Sequence, residues 1–407
     1  RLTIGHMRAV LICRTRTECR WLPFHLPSPP RASAGLALLG VYPQPRAPRQ
    51  RATPPTRHAE RMTSPVHMTS PLPIDEDDVL SVADLRAAGV DARHTAALVR
   101  SGELVSLTRG WYAARSPADA EDRHRLVTEA HRRGYAGSAV PSHYSALLRL
   151  GLPLFRADLS TVHLTRLGSG ADSGTGSGSG TGFGAGAGSG QGRRRDGLVL
   201  HRRPAAGSAG HLTRGGQVSP ALAIVQTGII CGPMDALIAA DAALHRGLVT
   251  PAELDEALTI VKGAPRTHLL PGFLAIADGR AESPGETRLR HAFHLMGLPV
   301  ISQALISDGG RTAIADFMLR DYPVLVEFDG LVKYADRGGQ TGRANLIAEK
   351  GREDWLRGIG FEVERVIWSE LDTPIVLARR ARRAIDRAKG RSPRAWREAL
   401  RWAQARG

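Results

Sequence analysis

Apolar positions begin to recur regularly only near Asp75. Residues 1–73 are rich in proline and arginine and show neither a helical nor a strand period, so they are expected to form a disordered extension. Met62 and Met68 stand just before the first patterned stretch, and much of this segment is expected to contribute nothing to function. From there Val79, Val82, Leu85 and Ala88 lie at helical spacing, with Gly89 as a stop. Asp91 is placed to cap a second helix carrying Thr95, Leu98 and Val99, which Gly102 closes. Residues 104–113 read as two short strands turning around Arg109-Gly110. Two short helices followed by a β-hairpin give the outline of a winged helix-turn-helix.

Further on, the pattern predicts helices over 119–133 and 142–150, the second capped by Ser142, and strands over 161–165 and 198–201. Between those strands runs a Gly/Ser/Ala tract, 168–192, in which every glycine occupies an even position. The phosphate-binding pattern GxGxxG sets glycines an odd number apart, so it cannot occur there, and the tract reads as a flexible loop. The middle region, 193–275, turns helical from Met234 to Leu258, with Leu237, Ile238, Asp241 and Leu244 preceding Gly247, and Pro251 opening the next helix. A last domain is expected over 282–375, followed by a basic helical tail, 376–407. The class is therefore α+β and multidomain: a winged helix over 75–165, a mixed middle region and a C-terminal sheet domain.

Charge changes the picture less than its total suggests. The formal net charge is +16, which points to a polyanionic partner. It is concentrated at the two ends, however: residues 376–407 carry ten arginines and Lys389 against two acids, and residues 1–62 carry eleven arginines against two acids. The C-terminal segment is expected to present a basic helical face to DNA. Cys13, Cys19 and Cys231 are too few and too widely spaced for a disulfide framework or a thiolate metal site. No apolar run approaches the roughly 20 residues of a membrane span, and the chain is read as cytoplasmic.

The chemistry concentrates in the last domain. Residues 313–319 and 324–329 read as strands joined by the turn Asp321-Tyr322-Pro323. Alternation places Val324, Val326 and Phe328 on one face and Leu325, Glu327 and Asp329 on the other. Two carboxylates on an otherwise apolar strand are costly unless they hold a cation or a proton. Asp316, on the preceding strand, can reach the same patch, and Lys333 follows shortly after. Three acids and an amine suit Mg²⁺ (or Mn²⁺) chemistry on a phosphate; the bland alternative is a sheet edge with solvated acids. Glu286 is a candidate fourth acid and equally the partner of Ser283 in a capping box. Lys350, Arg352 and Asp354 fall on a helix, as phosphate contacts or as a salt-bridged surface. His291 and His294 are expected on a solvated face.

These residues also carry a resemblance. Asp316, the run Glu327-Phe328-Asp329-Gly330 with Lys333, the block from Lys350 to Leu356, and Gly360 to Arg365 resemble an uncharacterised domain family. That family is related to the very-short-patch-repair endonuclease, within the PD-(D/E)xK superfamily. The resemblance covers 282–371 and implies a restriction-endonuclease-like α/β domain, a small mixed sheet flanked by helices, with its acids at Asp316, Glu327 and Asp329. Two departures stand out: the superfamily's lysine two residues after the glutamate is Asp329 here, and a histidine is common where Lys333 stands. Residues 98–113, with Ser142 to Ala146 and Leu150 to Pro153, resemble the AbiEi-type antitoxin of type IV toxin–antitoxin systems. That resemblance implies DNA binding, with Arg93, His94, Arg100 and Arg109 meeting phosphates or bases, and a cognate toxin or defence-system protein as partner. A winged helix can also serve only for protein docking. The lead expectation is a metal-dependent DNA endonuclease in defence or repair. The alternative is an antitoxin-like regulator with an inactive nuclease fold.

Overall fold

The computed structural model describes residues 8–15, 18–24, 78–167, 193–195, 197–204, 209–212, 216–330 and 340–405. The chain divides into two units, Arg1–His67 and Met68–Gly407. The first contains an antiparallel hairpin, β1 (Arg8–Thr15) with β2 (Glu18–Phe24). This departs from the expectation of a patternless 1–73. Their short apolar runs pair in register, Val10 with Leu22 and Leu11 with Trp21.

The second unit opens with β3 (Val79–Ser81), α1 (Val82–Ala87), α2 (Ala92–Ser101), β4 (Val105–Thr108) and β5 (Trp111–Ala113), the strands ordered β3-β5-β4. Spacing alone assigns Val79 to a helix, yet it pairs with Ala113 in the sheet. The helix starts one turn later because Ser81 and Asp84 form a reciprocal cap: Asp84 N–H donates to Ser81 Oγ at 3.1 Å and Ser81 N–H to Asp84 Oδ2 at 2.7 Å. Asp91 caps α2 by accepting from His94 N–H at 2.8 Å.

Next come α3 (Ala120–Gly134), β6 (Ala139–Pro141), α4 (His143–Arg149), β7 (Val162–Arg166), β8 (Arg193–Arg195) and β9 (Leu198–His201). Their sheet runs β6-β7-β9-β8, with β7 parallel to β9. The tract 168–192 lies outside the described residues. A helical layer follows: α5 (Pro220–Cys231), α6 (Pro233–His245), α7 (Pro251–Ile260) and α8 (Leu270–Leu274). α5 is buried continuously from Pro220 to Gly228. Gly228 lets neighbouring elements close in, because a Cβ there would stand 2.6 Å from Leu270 and 2.7 Å from Ala236.

The last part comprises α9 (Pro284–Leu295), β10 (Val300–Asp308), β11 (Arg311–Leu319), β12 (Val324–Asp329), α10 (Gln340–Gly358), β13 (Glu362–Ile367), α11 (Trp368–Leu371), α12 (Pro374–Ala388) and α13 (Arg394–Ala405). Strands β10 to β12 are antiparallel in sequence order, and β13 joins β12 in parallel. Val324 and Val326 pack in one core with residues of α9 and α12, while Leu325 and Val363 pack in another with residues of α10 and α13. The C-terminal helices are thus core elements rather than an appended tail. Three arginines of this segment are engaged by acids of β13 and α11: Arg380 pairs with Glu364 and Glu370, Arg387 with Glu362 and Glu364, and Arg391 with Glu362.

A buried ion pair ties the helical layer to this part. Asp241 of α6, 1% exposed, meets Arg290 of α9 at 2.5 Å and also accepts from Thr287 Oγ1 and Asp278 N–H, both at 2.8 Å. Separate small sheets interspersed with helices make the chain α+β. No helix among the described residues is long and apolar enough to cross a membrane.

Candidate functional site

The β11–β12 ladder pairs Phe317 with Val326 and Met318 with Leu325. The next rung would set Asp316 opposite Glu327. There the ladder changes character, because Asp316 Oδ2 accepts the Phe328 N–H at 2.7 Å. On the other side, the parallel register places Arg365 of β13 beside Glu327. Asp316, Glu327 and Arg365 therefore form a row across three strands, and Asp329 shares the face of Glu327 two residues on. Together with Ile314, Phe328, Glu349 and Arg352 they line one cleft of about 380 Å³.

The electrostatics differ from expectation. Glu327 is faced by two arginines of the chain itself. Arg352 Nη2 stands 2.7 Å from Glu327 Oε1, and Arg365 Nε is 3.8 Å from Oε2. Arg365 also meets Glu349 at 2.7 Å and Glu353 at 3.1 Å. Burial works against the Arg365 charge, but Glu349, Glu327 and Glu353 outweigh it and hold its pKa above the usual guanidinium value. Among the described residues its Nε–H is buried without a hydrogen-bond acceptor, and an unmet donor costs free energy.

The remaining predicted residues scatter. Lys333 lies outside the described residues. Lys350 is exposed and off the cleft wall, whereas Arg352, read as a phosphate contact or a surface salt bridge, is in the cleft on Glu327. Glu286 takes the capping role: Ser283 Oγ donates to it at 2.8 Å and Glu282 N–H at 2.9 Å. Its helix does approach the row, since a Cβ on Gly285 would collide with the Phe328 ring. His291 is not simply solvated; its ring stacks on Phe273 at 4.6 Å, and burial lowers its pKa to about 4. His294 is exposed. At the N-terminal sheet Arg93, Arg100 and Arg109 are exposed, and His94 is drawn to Asp91 at 3.2 Å. Arg100 borders a groove of about 430 Å³ lined also by Val82, Arg86, Val99 and Tyr112.

One cluster has no counterpart in the sequence reading. Among the described residues, His143, His163 and His201 are the group whose candidate ligand atoms all lie within 4.8 Å of one another; the three acids form no such group. In the sequence each histidine stands merely inside a predicted helix or strand. Alternation along 161–165 and 198–201 sets His163 and His201 on defined faces, but the pairing of the two strands is not readable from either.

No family model matches the chain. Two uncharacterized proteins of Mycobacterium tuberculosis, MT2308 from strain CDC 1551 / Oshkosh and Rv2248 from strain H37Rv, are each 28% identical to it over 157 residues, 38% of this chain and 56% of theirs. The chain thus spans little more than half the length of the curated relatives it matches. Among solved structures, the RV2827C protein from Mycobacterium tuberculosis is similar over 52% of this chain and 74% of that protein, at 17% identity and a TM-score of 0.29. That likeness is too loose to guide the reading of the site.

Proposed function

We propose that this protein acts on DNA and that the cleft at the end of β12 hydrolyses a phosphodiester with a divalent metal ion. The observation that carries this reading is the row Asp316–Glu327–Arg365 beside Asp329, acids and guanidinium groups facing one opening. A small mixed sheet with helices on both faces is also what the resemblance to the very-short-patch-repair-related family implies. The donor chemistry fits Mg²⁺ or Mn²⁺, because all three candidate ligands are carboxylates. Asp316, Glu327 and Asp329 would hold the ion, which when bound supplies a Lewis acid and an activated water.

The chain's own residues do the rest. Asp316 is fixed by the Phe328 N–H and so presents its carboxylate in one orientation. Arg352 and Arg365, which line the cleft, would face the negative charge that grows on the phosphoryl oxygens. The cation that the superfamily places two residues after the glutamate would thus come from α10 and β13. The β3–β5 segment, read as the antitoxin-like winged helix, would hold the duplex through Arg93, Arg100 and Arg109. Its partner in that reading is a cognate toxin or another defence protein.

The ion pairs of Glu327 favour a second reading, a DNA-binding regulator in which arginines have replaced the metal. Supercoiled plasmid separates the two. The full chain with Mg²⁺ or Mn²⁺ is expected to convert it to open circles, Asp316→Asn to reduce the rate at least a hundredfold, and Arg352→Ala to slow cleavage while still taking up metal. Plasmid left intact by wild type under both ions would favour the regulator.

A further inference from the structure

His143 opens α4, His163 lies in β7 and His201 ends β9. The parallel register puts His201 beside Thr165, on the same face as His163. That face is opposite the one whose Val162, Leu164, Leu198 and Leu200 form an apolar core. His143 and His163 are 5% and 7% exposed, and His201 is half-buried, which gives the cluster one side toward solvent. The His143 and His201 rings stack at 3.9 Å, and His163 lies 5.1 and 5.0 Å from them.

The hydrogen bonds around the rings are those of a ligand set. The single proton of Tyr144 Oη is shared between the carbonyls of Asp158 and Thr161, at 2.7 and 2.8 Å, so toward His163 the hydroxyl acts as acceptor. His163 Nε2–H therefore donates to it at 2.9 Å, and His163 Nδ1 carries a lone pair, now met by His201 Nε2 at 2.7 Å. His143 Nδ1 is bonded to Ser142 Oγ at 2.9 Å, which leaves Nε2 as the ligating nitrogen; its ring, stacked on that of His201, would turn for both lone pairs to meet one ion. Metal-binding histidines characteristically anchor one ring nitrogen in this way and ligate with the other. His143 has in addition a φ of 53°, costly for a side chain of this kind, and its N–H is held by Gln226 Oε1 at 3.3 Å.

We propose that His143, His163 and His201 form a zinc-binding site, separate from the acidic cleft. Three imidazoles without a carboxylate select Zn²⁺ over Mg²⁺ or Ca²⁺, which prefer oxygen. Coordination needs neutral rings, and the burial of His143 and His163 disfavours the charged form. Binding requires no net proton release, because His201 shifts its hydrogen from Nε2 to Nδ1. His163 Nδ1 and His201 Nε2 would part from 2.7 Å, and the His143 nitrogen, within 4.8 Å of them, would settle at the roughly 3.3 Å of a tetrahedral zinc with bonds of about 2.05 Å. Water from the His201 side would fill the fourth position. The metal would join α4, β7 and β9 at one point.

The test uses the full chain, stripped with a chelator, loaded with zinc chloride and gel-filtered before metal analysis. Asp316→Asn is the background, which removes any contribution from the cleft. It should retain one zinc per chain, and adding His201→Gln should remove it. Since a variant in a packed cluster can misfold, cobalt in the Asp316→Asn chain gives a second reading: a four-coordinate nitrogen site absorbs strongly in the visible, a six-coordinate oxygen site weakly. No retained zinc, zinc that survives His201→Gln, or a weak cobalt spectrum would each overturn the proposal.

Discussion

Glu327 shows how a charge is tolerated on a strand whose other residues are core. Its two oxygens face Arg352 and Arg365, so the cation that alternation alone demands is partly supplied by the protein itself. The shared face of Glu327 and Asp329 is legible in the sequence because it depends on two residues of one strand. Arg365 is not, because its place beside Glu327 follows from a parallel pairing across 38 residues. The histidines escape for the same reason, and they lead to a prediction about pH. His201, His143 and His124 have folded pKa values lowered by burial, that of His201 to about 4. Above pH ~6.5 these groups are neutral in both folded and unfolded chains, and their effect on stability is nil. As pH falls from there toward 4 the unfolded chain takes up protons that the fold refuses, so stability is lost. His201 by itself accounts for on the order of 3 kcal/mol across that window. The melting temperature of the metal-free chain should therefore drop by several degrees between pH 7.5 and pH 5, and less so in His201→Gln. An unchanged melting temperature would show that the ring is not desolvated.

At the scale of elements, local signals serve best where a cap and a periodic face coincide, as in α2 between Asp91 and Gly102. α5 gives no such signal. Its sequence, Pro220 to Cys231, is apolar on all sides because the helix is surrounded by the fold, and a helix without a polar face has no readable period. β3 reads as helix in the sequence because Val79 happens to sit three residues before Val82. The C-terminal segment stands out by its charge, yet its apolar stripe matters more. Leu377, Ala381, Ala384 and Ile385 of α12 cover one side of the sheet, and Ala395 and Ala399 of α13 the other. A chain ending at residue 375 should accordingly show neither a cooperative thermal transition nor native near-ultraviolet circular dichroism. If it melts like the full chain, the helices are appendages after all. The Asp241–Arg290 pair gives a milder probe: Asp241→Ala strands a buried guanidinium and should cost about 3–5 kcal/mol in a denaturant titration.

For the molecule as a whole, the positive charge counts for less than its sum, since Arg380, Arg387 and Arg391 are engaged by Glu362, Glu364 and Glu370. The exposed arginines that form no ion pair among the described residues include Arg93, Arg100 and Arg109 at one end and Arg379, Arg382 and Arg383 on α12. If these hold duplex DNA, affinity falls with salt, and replacing either set with alanine flattens that dependence by roughly 0.9 in logarithmic slope for each phosphate no longer neutralised. Binding that ignores salt would remove DNA from the account.

If the acid row at β11 and β12 holds a divalent ion despite its arginines, calorimetric titration of Mn²⁺ into the chelator-stripped full chain will detect it. A saturable heat is expected in wild type, the same heat in His201→Gln, where the histidine cluster is disabled, and none in Asp316→Asn. A wild-type chain that takes up no Mn²⁺, or an Asp316→Asn chain that binds it as well as wild type, would contradict metal binding by the acid row.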